Sequence, residues 1–314
     1  MGSSHNQISV SLGWWLFPWA RTDFISLIVS KSYGQLGNQI VENACSIAVA
    51  KRFGIKEVIP ESSYPFREGI HNVAGVTFRP GVGTIEKVTN SNILISFLRG
   101  LKPEVHLRRA FFLSWHEMAG KNHPQPSRRI FRDLAKAMSF DLGGNPLPEG
   151  QVVAHIRGGD IFDQPVNPHY GQPPLSFYQL VLTSRKWEKV WVVSQDSANP
   201  VFEALLTWLK QSDMNYEVQS KSVAEDGSLI YRSKNVIASR GTFTTAITAM
   251  SPESPSVWFF GDEKSPADFR NLKRVLDGAG LFEETVLANR WAATAEQLNL
   301  LVSYPASNLL VKDS

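Results

Sequence analysis

The pattern of apolar and polar positions divides the chain into an irregular first half and a regular second half. An apolar, partly β-branched run covers 25–30, apolar residues recur at helical spacing over 40–53, and a second apolar run covers 55–59. Gly54 stands just after the helical stretch, where glycine is favoured because it adopts a left-handed backbone. This pattern predicts a β-turn-α-β opening.

Past residue 150 the alternation becomes regular. Predicted strands cover 152–156, 190–194, 216–219, 236–239 and 257–260, and predicted helices cover 176–185, 201–210, 227–233 and 242–250. Strands that alternate with helices form a mostly parallel sheet with both faces covered. After residue 268, the spacing of Phe269, Leu272, Val275 and Leu276 predicts a further helix. The second half is therefore predicted to be Rossmann-like.

The length of 314 residues favours two compact domains, since a single core stops growing below that size. Segment 141–150 is rich in glycine and proline and is the best candidate for a linker. The predicted organisation is an aromatic N-terminal arm, an N-terminal α/β domain, a linker, a C-terminal Rossmann-like domain and a C-terminal tail, at 1–23, 24–140, 141–150, 151–290 and 291–314.

Charge excludes one class of partner. The 32 basic and 29 acidic residues give a formal net charge of +3, without a long basic run. A nucleic-acid surface needs basic residues clustered on one face, so no nucleic-acid partner is expected. The small excess suits a local anionic ligand.

Cysteine usage and the lack of glycosylation acceptors favour the cytoplasm. Cys45 is the one cysteine, so no intramolecular disulfide can form, and no Asn-x-Ser/Thr acceptor occurs. The seven histidines show no zinc-ligand spacing, so no metal is expected. Cys45 lies on a predicted helix face and is interpreted as a core residue.

An aromatic cluster near the N-terminus contains Trp14, Trp15 and Trp19. Its apolar run is too short for a membrane span, is broken by Pro18, and lacks the basic start of a signal peptide. We interpret it as an arm packed on the domain. A peripheral membrane or partner contact through these tryptophans is the alternative.

The first candidate motif lies between the first predicted strand and helix, where 34–39 reads Gly-Gln-Leu-Gly-Asn-Gln. Gly34 and Gly37 there would let backbone N–H groups face outward at a helix N-terminus, where phosphate is favoured. The segment lacks the full dinucleotide-binding spacing and the lysine of a P-loop. A plain structural turn, with Asn38 as the helix N-cap, is at least as well supported by these residues.

The second motif ends a buried-type strand, where 152–160 reads Val-Val-Ala-His-Ile-Arg-Gly-Gly-Asp. Ligands of open α/β sheets bind outside the carboxyl ends of strands, which is where His155, Arg157 and Asp160 stand. Arginine suits a diphosphate because its planar fork donates two parallel bonds and keeps its charge. The alternatives are a structural histidine and a surface ion pair between Arg157 and Asp160.

The third motif is a strand, a small-residue turn and a helix at 235–247. Ser239, Thr242 and Thr244 offer hydroxyls at the end of a further strand. The alternative is an ordinary helix that Thr242 caps and whose Phe243 fills the core.

Together and in this order, the three motifs resemble those of GDP-fucose-dependent fucosyltransferases, a group that includes alpha-1,2- and alpha-1,6-fucosyltransferases and protein O-fucosyltransferases. The group carries Gly-x-x-Gly-Asn-Gln, then His-x-Arg-x-x-Asp, then Ile-x-Ser-x-Ser/Gly-Thr-Phe. The last pattern is matched by Ile237, Ser239, Gly241, Thr242 and Phe243. Asp226 resembles the acidic residue that meets the guanine in the group, although a helix-start aspartate is an equal alternative.

The resemblance implies a GT-B-like α/β fold, with two Rossmann-like domains and the nucleotide in the cleft. It implies an inverting, metal-independent transfer of fucose from GDP-fucose to a glycan hydroxyl, with no cofactor. The implied catalytic residues are Arg157, as a clamp on the diphosphate, and Asn38, on the acceptor side. The implied donor-binding residues are Gly34, Gly37, His155, Asp160, Asp226, Ser239, Thr242 and Phe243.

The departures from the alpha-1,2 pattern concern the acceptor. Alpha-1,2 enzymes typically carry a second basic residue where Gly158 stands, and aromatic residues where Thr244 and Thr245 stand, so an alpha-1,2 linkage to galactose is one option among several. Glu42 and Asp163 are candidate bases without motif support. Two other classes stay open: a non-catalytic nucleotide- or glycan-binding protein on the same fold, and a dinucleotide oxidoreductase, against which the broken glycine spacing counts.

Overall fold

A computed structural model describes residues 27–30, 34–52, 54–81, 104–107, 125–262, 269 and 271–313. The predicted aromatic arm at 1–23 lies outside these residues. The chain divides into two compact units, 1–140 and 141–314.

The described residues of unit 1 form a five-stranded sheet in the order β3-β4-β2-β1-β5. β1 runs parallel to β2 and β5, and β3 and β4 are antiparallel. The elements of unit 1 are β1 (Leu27–Ser30), α1 (Leu36–Arg52), β2 (Glu57–Pro60), β3 (His71–Val73), β4 (Val76–Phe78), β5 (Glu104–Leu107) and α2 (Arg128–Lys136).

Helix α1 confirms the predicted β-turn-α-β opening and corrects its start. Its apolar stripe is fully buried, as at Ile40 and Ile47, and Gly54 follows its end with a left-handed φ of +69°. The helix begins at Leu36, four residues before the apolar pattern does. Asn38 therefore lies inside the first turn, and its interpretation as the N-cap is wrong.

The described residues of unit 2 form a seven-stranded sheet in the order β12-β11-β10-β9-β6-β7-β8. Every strand pair in it is parallel except β11 with β12. The strands are β6 (Gln151–Ile156), β7 (Lys189–Ser194), β8 (Tyr216–Gln219), β9 (Asn235–Ile237), β10 (Ser256–Phe260), β11 (Asn271–Asp277) and β12 (Leu309–Asp313). The helices are α3 (Leu175–Thr183), α4 (Pro200–Gln211), α5 (Val223–Tyr231), α6 (Thr242–Met250), α7 (Leu281–Thr285) and α8 (Ala295–Ser303).

The alternating strands and helices of unit 2 confirm the predicted α/β class and the parallel sheet. The bounds of α6 agree with the prediction to the residue, because a glycine turn and a serine end fix both limits. Helix α5 begins four residues before the predicted 227–233, because Ser222 and Glu225 form a capping box that the apolar pattern does not show.

The predicted helix after residue 268 is wrong, because Asn271–Asp277 is strand β11. Leu272, Val275 and Leu276 have helical spacing, yet β11 pairs with β10 on one side and with β12 on the other. These ladder bonds come from distant segments. The local apolar spacing therefore suggested the period of a helix where the backbone is a strand.

Both ends of unit 2 pack into its core. Leu142 and Leu147, in the glycine- and proline-rich segment, are buried, and the backbone N–H of Leu147 donates to the carbonyl of Arg232 at 2.9 Å. Trp291 and Leu301 are buried near the C-terminal side. Within the described part of the chain, no helix has both the length and the apolar character needed to cross a membrane.

Candidate functional site

The second and third motifs meet at the carboxyl edge of the sheet in unit 2. β6 lies between β9 and β7, so the segment that follows β6 is flanked by those that follow the other two strands. Arg157 leaves β6 at this edge, between Ser239 on the β9 side and Asp196 on the β7 side. The strand order thus brings together residues that are far apart in the sequence.

His155 joins the two motifs as a buried, neutral imidazole. Its Nδ1 lies 2.6 Å from Ser239 Oγ and 2.6 Å from Thr244 Oγ1. Its carbonyl accepts a hydrogen bond from the Tyr178 hydroxyl at 3.1 Å. Burial, and secondarily the positive charge of Arg157, lower the pKa of His155 to about 3. The ring is therefore uncharged at neutral pH and ties β6 to α6.

The Arg157 guanidinium is held by an aromatic ring and a carboxylate, and its side chain stays partly exposed. Its Cζ lies 4.4 Å from the centroid of the Tyr170 ring, and its Nη2 lies 3.7 Å from Asp160 Oδ1. Asn199 Nδ2 donates to the Arg157 carbonyl at 3.0 Å, which fixes the backbone. About a quarter of the side chain is exposed, at 23%. The exposed part can donate two parallel hydrogen bonds to an anion.

Gly241 lets the Arg157 guanidinium approach the start of α6. A Cβ on Gly241 would lie 2.7 Å from Arg157 Nη1, and its φ of +140° favours glycine. Gly241 is the N-cap and Thr242 is the first helical residue, so the prediction that Thr242 caps the helix is wrong. The N-terminus of α6, where the helix dipole favours negative charge, and the guanidinium lie at the same edge.

Phe243 packs at this edge as well. Its ring centroid lies 5.5 Å from that of His155. The ring is only partly buried. It therefore does not simply fill the core, as the structural alternative for this residue predicted.

Gly158 has no room for a side chain, because Asp196 occupies the space where a Cβ would stand. Asp196 Oδ1 accepts from the backbone N–H of Gly159 at 3.2 Å and from that of Ala198 at 2.9 Å. Asp196 thus fixes the backbone that follows Arg157. Sequence reasoning missed this residue, although it follows a predicted strand end as the other polar residues do.

Asp226 lies on α5 and holds the segment that follows β8. Its carboxylate accepts from Gln219 Nε2 at 3.0 Å and from the backbone N–H of Lys221 at 3.3 Å. Burial is the largest influence on Asp226 and raises the pKa of the carboxyl. The next residue, Gly227, faces Phe243, with 3.9 Å from its would-be Cβ to the ring. Asp226 thus lies beside the third motif but already has partners.

The segment that carries Asp160 and Tyr170 is tethered at two points to Trp291. The Trp291 indole N–H donates to the carbonyl of Ile161 at 2.8 Å, and its backbone N–H donates to that of Pro168 at 3.2 Å. Trp291 is 1% exposed. This buried anchor sets the position of the ring under Arg157.

The first motif lies in unit 1 and forms a compact turn. Gly34 has a φ of +67°, and a Cβ there would meet the Asn38 side-chain amide. Gln39 Nε2 donates to the Gly34 carbonyl at 3.1 Å, and Asn43 Nδ2 donates to the Gln39 carbonyl at 2.8 Å. Gly37 is buried as the second residue of α1. The glycines and amides of this motif therefore lie together at one helix N-terminus.

The two candidate bases differ in exposure. Glu42 is fully buried on α1, whereas Asp163 is exposed after the short helical turn that follows Arg157. Within the described residues, no group of three or more His, Cys, Asp or Glu side chains could hold a metal ion.

No protein-family model matches the sequence, and no curated protein matches it. Among solved structures, fucosyltransferase NodZ from Bradyrhizobium matches with 13% identity over 73% of this chain and 94% of that chain, at a TM-score of 0.41. A mutant of Arabidopsis thaliana FUT1 in complex with GDP matches with 11% identity over 77% and 72%, at 0.42. E. coli ADP-heptose lps heptosyltransferase II matches with 9% identity over 88% and 98%, at 0.40. Similarities at this level assign neither an activity nor a substrate.

Proposed function

We propose that this protein is a glycosyltransferase that transfers fucose from GDP-fucose to a hydroxyl of a glycan acceptor. The observation that carries the proposal is the setting of Arg157. Its guanidinium lies over the Tyr170 ring and against Gly241 at the start of α6, and the side chain stays 23% exposed. A fixed cation beside a helix N-terminus is suited to a diphosphate, because the helix dipole favours negative charge there.

The chemistry follows from where charge develops. As the bond between fucose and diphosphate breaks, negative charge accumulates on the departing phosphate oxygens. Arg157 and the first turn of α6 are donors already in place, so they bind that charge more strongly in the transition state than in the ground state. This preference is what accelerates the reaction.

His155 supports the same step as a neutral donor. The single lone pair of Nδ1 can accept from the hydroxyl of Ser239 or of Thr244, which puts the ring proton on Nε2. A neutral imidazole can donate its N–H to GDP-fucose. Because the ring is uncharged, it adds no second positive charge next to Arg157. Asp160, Thr242 and Phe243 complete the proposed donor site, and Asp226 is the proposed guanine contact.

The acceptor side of the proposal rests on unit 1 and on the sequence motif. Asn38 is proposed to orient the acceptor hydroxyl, with Gly34 and Gly37 beside it, and Glu42 or Asp163 is the proposed base. Direct attack by that hydroxyl inverts the anomeric centre, and no metal or other cofactor is proposed. The proposed location is the cytoplasm, and the alpha-1,2 linkage to galactose is one acceptor to test.

The test is turnover of GDP-fucose with a panel of glycan acceptors, measured as GDP release, with chelator present and absent. Transfer to at least one acceptor, unaffected by chelator, is the expected result. The anomeric configuration of the product, determined by NMR, tests inversion.

Calorimetry with GDP separates the enzyme from a binding protein on the same fold. Tight GDP binding, without transfer or donor hydrolysis on any acceptor, would favour the binding protein and overturn the enzyme. NAD(P) binding in place of GDP binding would favour an oxidoreductase.

A further inference from the structure

A cavity of about 320 Å³ lies beside the Arg157 site, within unit 2. It opens at the carboxyl ends of β9 and β10, since Arg240 follows β9 and Asp262 follows β10. Its other walls include Glu283 on α7, and Leu287 and Asn289 just after that helix. Its size lies in the range of small-molecule sites.

The cavity and the Arg157 site share two walls. His169 lines the cavity, while the next residue, Tyr170, stacks on Arg157. Arg240 lines the cavity, while the next residue, Gly241, lies against the Arg157 guanidinium. The cavity therefore adjoins the Arg157 site.

These two walls are bonded to each other. Arg240 Nη1 donates to the carbonyl of Gly171 at 3.4 Å, and Gln172 Nε2 donates to the carbonyl of Arg240 at 3.3 Å. The segment that carries His169 and Tyr170 and the turn that carries Arg240 and Gly241 are thus joined at one edge of the cavity. These hydrogen bonds hold two of the segments that line the cavity in place.

The charges in the cavity disfavour a second phosphate. The lining carries one guanidinium, from Arg240, against two exposed carboxylates, from Asp262 and Glu283, and the charge of Glu283 acts on Arg240. The negative charges therefore outnumber the positive one among these three side chains. A neutral ligand rich in hydroxyls can donate to the carboxylates and accept from the guanidinium at the same time.

The remaining lining suits the same ligand class. The Leu287 side chain gives an apolar surface for ring C–H groups, and the Asn289 amide can both donate and accept. Asn289 has a φ of +61°, a left-handed backbone conformation that asparagine adopts more readily than most residues.

We propose that this cavity binds a neutral pyranose ring of a substrate, next to the diphosphate held by Arg157. The inference rests on the proposed function and deepens it, because it gives the sugar a location. The ring has two sources, the fucose of the donor and the first sugar of the acceptor, and both share the same hydroxyl chemistry.

The test combines two cavity variants with one matched control. Glu283→Ala removes a cavity carboxylate, and Ala288→Trp fills the cavity from its rim, since Ala288 lines it and is exposed. Glu284→Ala is the control, since Glu284 is exposed on the same helix and does not line the cavity. Thermal melting shows that each variant is folded.

The readout is KM for each substrate, with Kd for GDP by calorimetry. Glu283→Ala is expected to raise one sugar-dependent KM about tenfold, the effect of losing a hydrogen bond to a charged group, with Kd for GDP within twofold. Ala288→Trp is expected to raise the same KM at least as much, because the indole occupies the space of the sugar. A rise in KM for the acceptor places the acceptor ring there, and a rise in KM for GDP-fucose places the fucose there. Unchanged KM values for both substrates in both variants would overturn the assignment.

A second readout does not depend on turnover. Saturation-transfer NMR is recorded with methyl glycosides of fucose, galactose, glucose and N-acetylglucosamine. Signal for at least one glycoside that survives in Glu284→Ala and is lost in Ala288→Trp supports the proposal. Binding of inorganic phosphate in the cavity, or no glycoside binding, overturns it. Absence of transfer with every acceptor instead counts against the proposed function, and transfer that ignores all cavity variants counts against the cavity alone.

Discussion

Two turns with a glycine before a helix, one in each unit, have opposite designs. In unit 1, a Cβ on Gly34 would meet Asn38, which is four residues away on the helix that the turn begins. In unit 2, a Cβ on Gly241 would meet the guanidinium of Arg157, which comes from another strand. The first glycine makes room for a local amide and the second makes room for a distant cation.

The difference shows what a glycine turn contributes to a site. The Gly34 turn is closed by its own residues, since Gln39 donates back to the Gly34 carbonyl. The Gly241 turn receives a cation from a distant segment, because the sheet brings Arg157 to it. We therefore expect unit 2 to dominate binding of the diphosphate.

The largest expected effect comes from removing the distant cation. Arg157→Ala is expected to lower kcat about 10²- to 10³-fold, or roughly 3–4 kcal/mol, the effect of losing one preorganised donor to a transition-state charge. The measurement is steady-state GDP release from GDP-fucose. Arg157→Lys is the control, since it keeps the charge and loses the fork, and it should be intermediate. Unchanged turnover in Arg157→Ala would remove the central contrast between the two turns.

The next effect concerns His155, which ties the strand of Arg157 to the Gly241 helix. Its folded pKa of about 3 is far below the unfolded value of about 6.5, so below pH 6.5 the unfolded chain binds the extra proton. The free energy of unfolding should be fully retained above pH 6.5 and fall by roughly 1.4 kcal/mol per pH unit below it.

Urea unfolding at pH 7, 5.5 and 4.5 measures this slope. His155→Gln should reduce the slope by the contribution of one proton. An equal slope in wild type and His155→Gln would mean that His155 is not buried as a neutral ring.

The glycines themselves give a smaller and more direct comparison. Gly241→Ala should weaken GDP binding about tenfold, because the methyl group displaces Arg157 and the backbone is strained by about 1–3 kcal/mol. Gly34→Ala should cost about 1–2 kcal/mol of stability and weaken GDP binding less, because it displaces a neutral amide. Calorimetry with GDP and thermal melting distinguish the two. Equal losses of GDP affinity would mean that both turns contribute equally to GDP binding, and would contradict the expectation that unit 2 dominates.

The smallest expected effect is at the ring under the cation. Tyr170→Leu removes the cation–π contact and should weaken GDP binding by about 0.5–1 kcal/mol, or two- to fivefold. Tyr170→Phe keeps the ring and should bind GDP like the wild type. If Phe were as weak as Leu, the hydroxyl rather than the stack would hold Arg157.

Local patterns predicted most of the fold. The α/β alternation, the parallel sheet and α6 all follow from apolar spacing and breaker residues within short windows. β11 did not follow, because its strand character comes from ladder bonds to β10 and β12. The start of α5 depended on a polar capping box, which carries no apolar signal.

The sequence predicted which residues of the candidate site lie together only where those residues stand at the ends of predicted strands. His155, Arg157 and Ser239 are together because β6 and β9 are neighbours, as expected for the carboxyl edge of a parallel sheet. Asp196 and Tyr170 were missed, because their roles depend on tertiary contacts. Asp196 occupies the space beside Gly158, and the Tyr170 ring stacks on Arg157. Thr242 was misplaced as a cap, because the adjacent glycine takes that position.

The anchoring of one segment by Trp291 offers a spectroscopic handle on the proposed donor site. The Trp291 indole is buried and donates a hydrogen bond to the segment that carries Tyr170. Trp291 itself lies far from that segment in the sequence, after α7. A fluorine label on tryptophan would give Trp291 a resonance that senses the order of that segment, assignable by Trp291→Phe. A change of this resonance on addition of GDP would report nucleotide binding, and the measurement does not require a known acceptor.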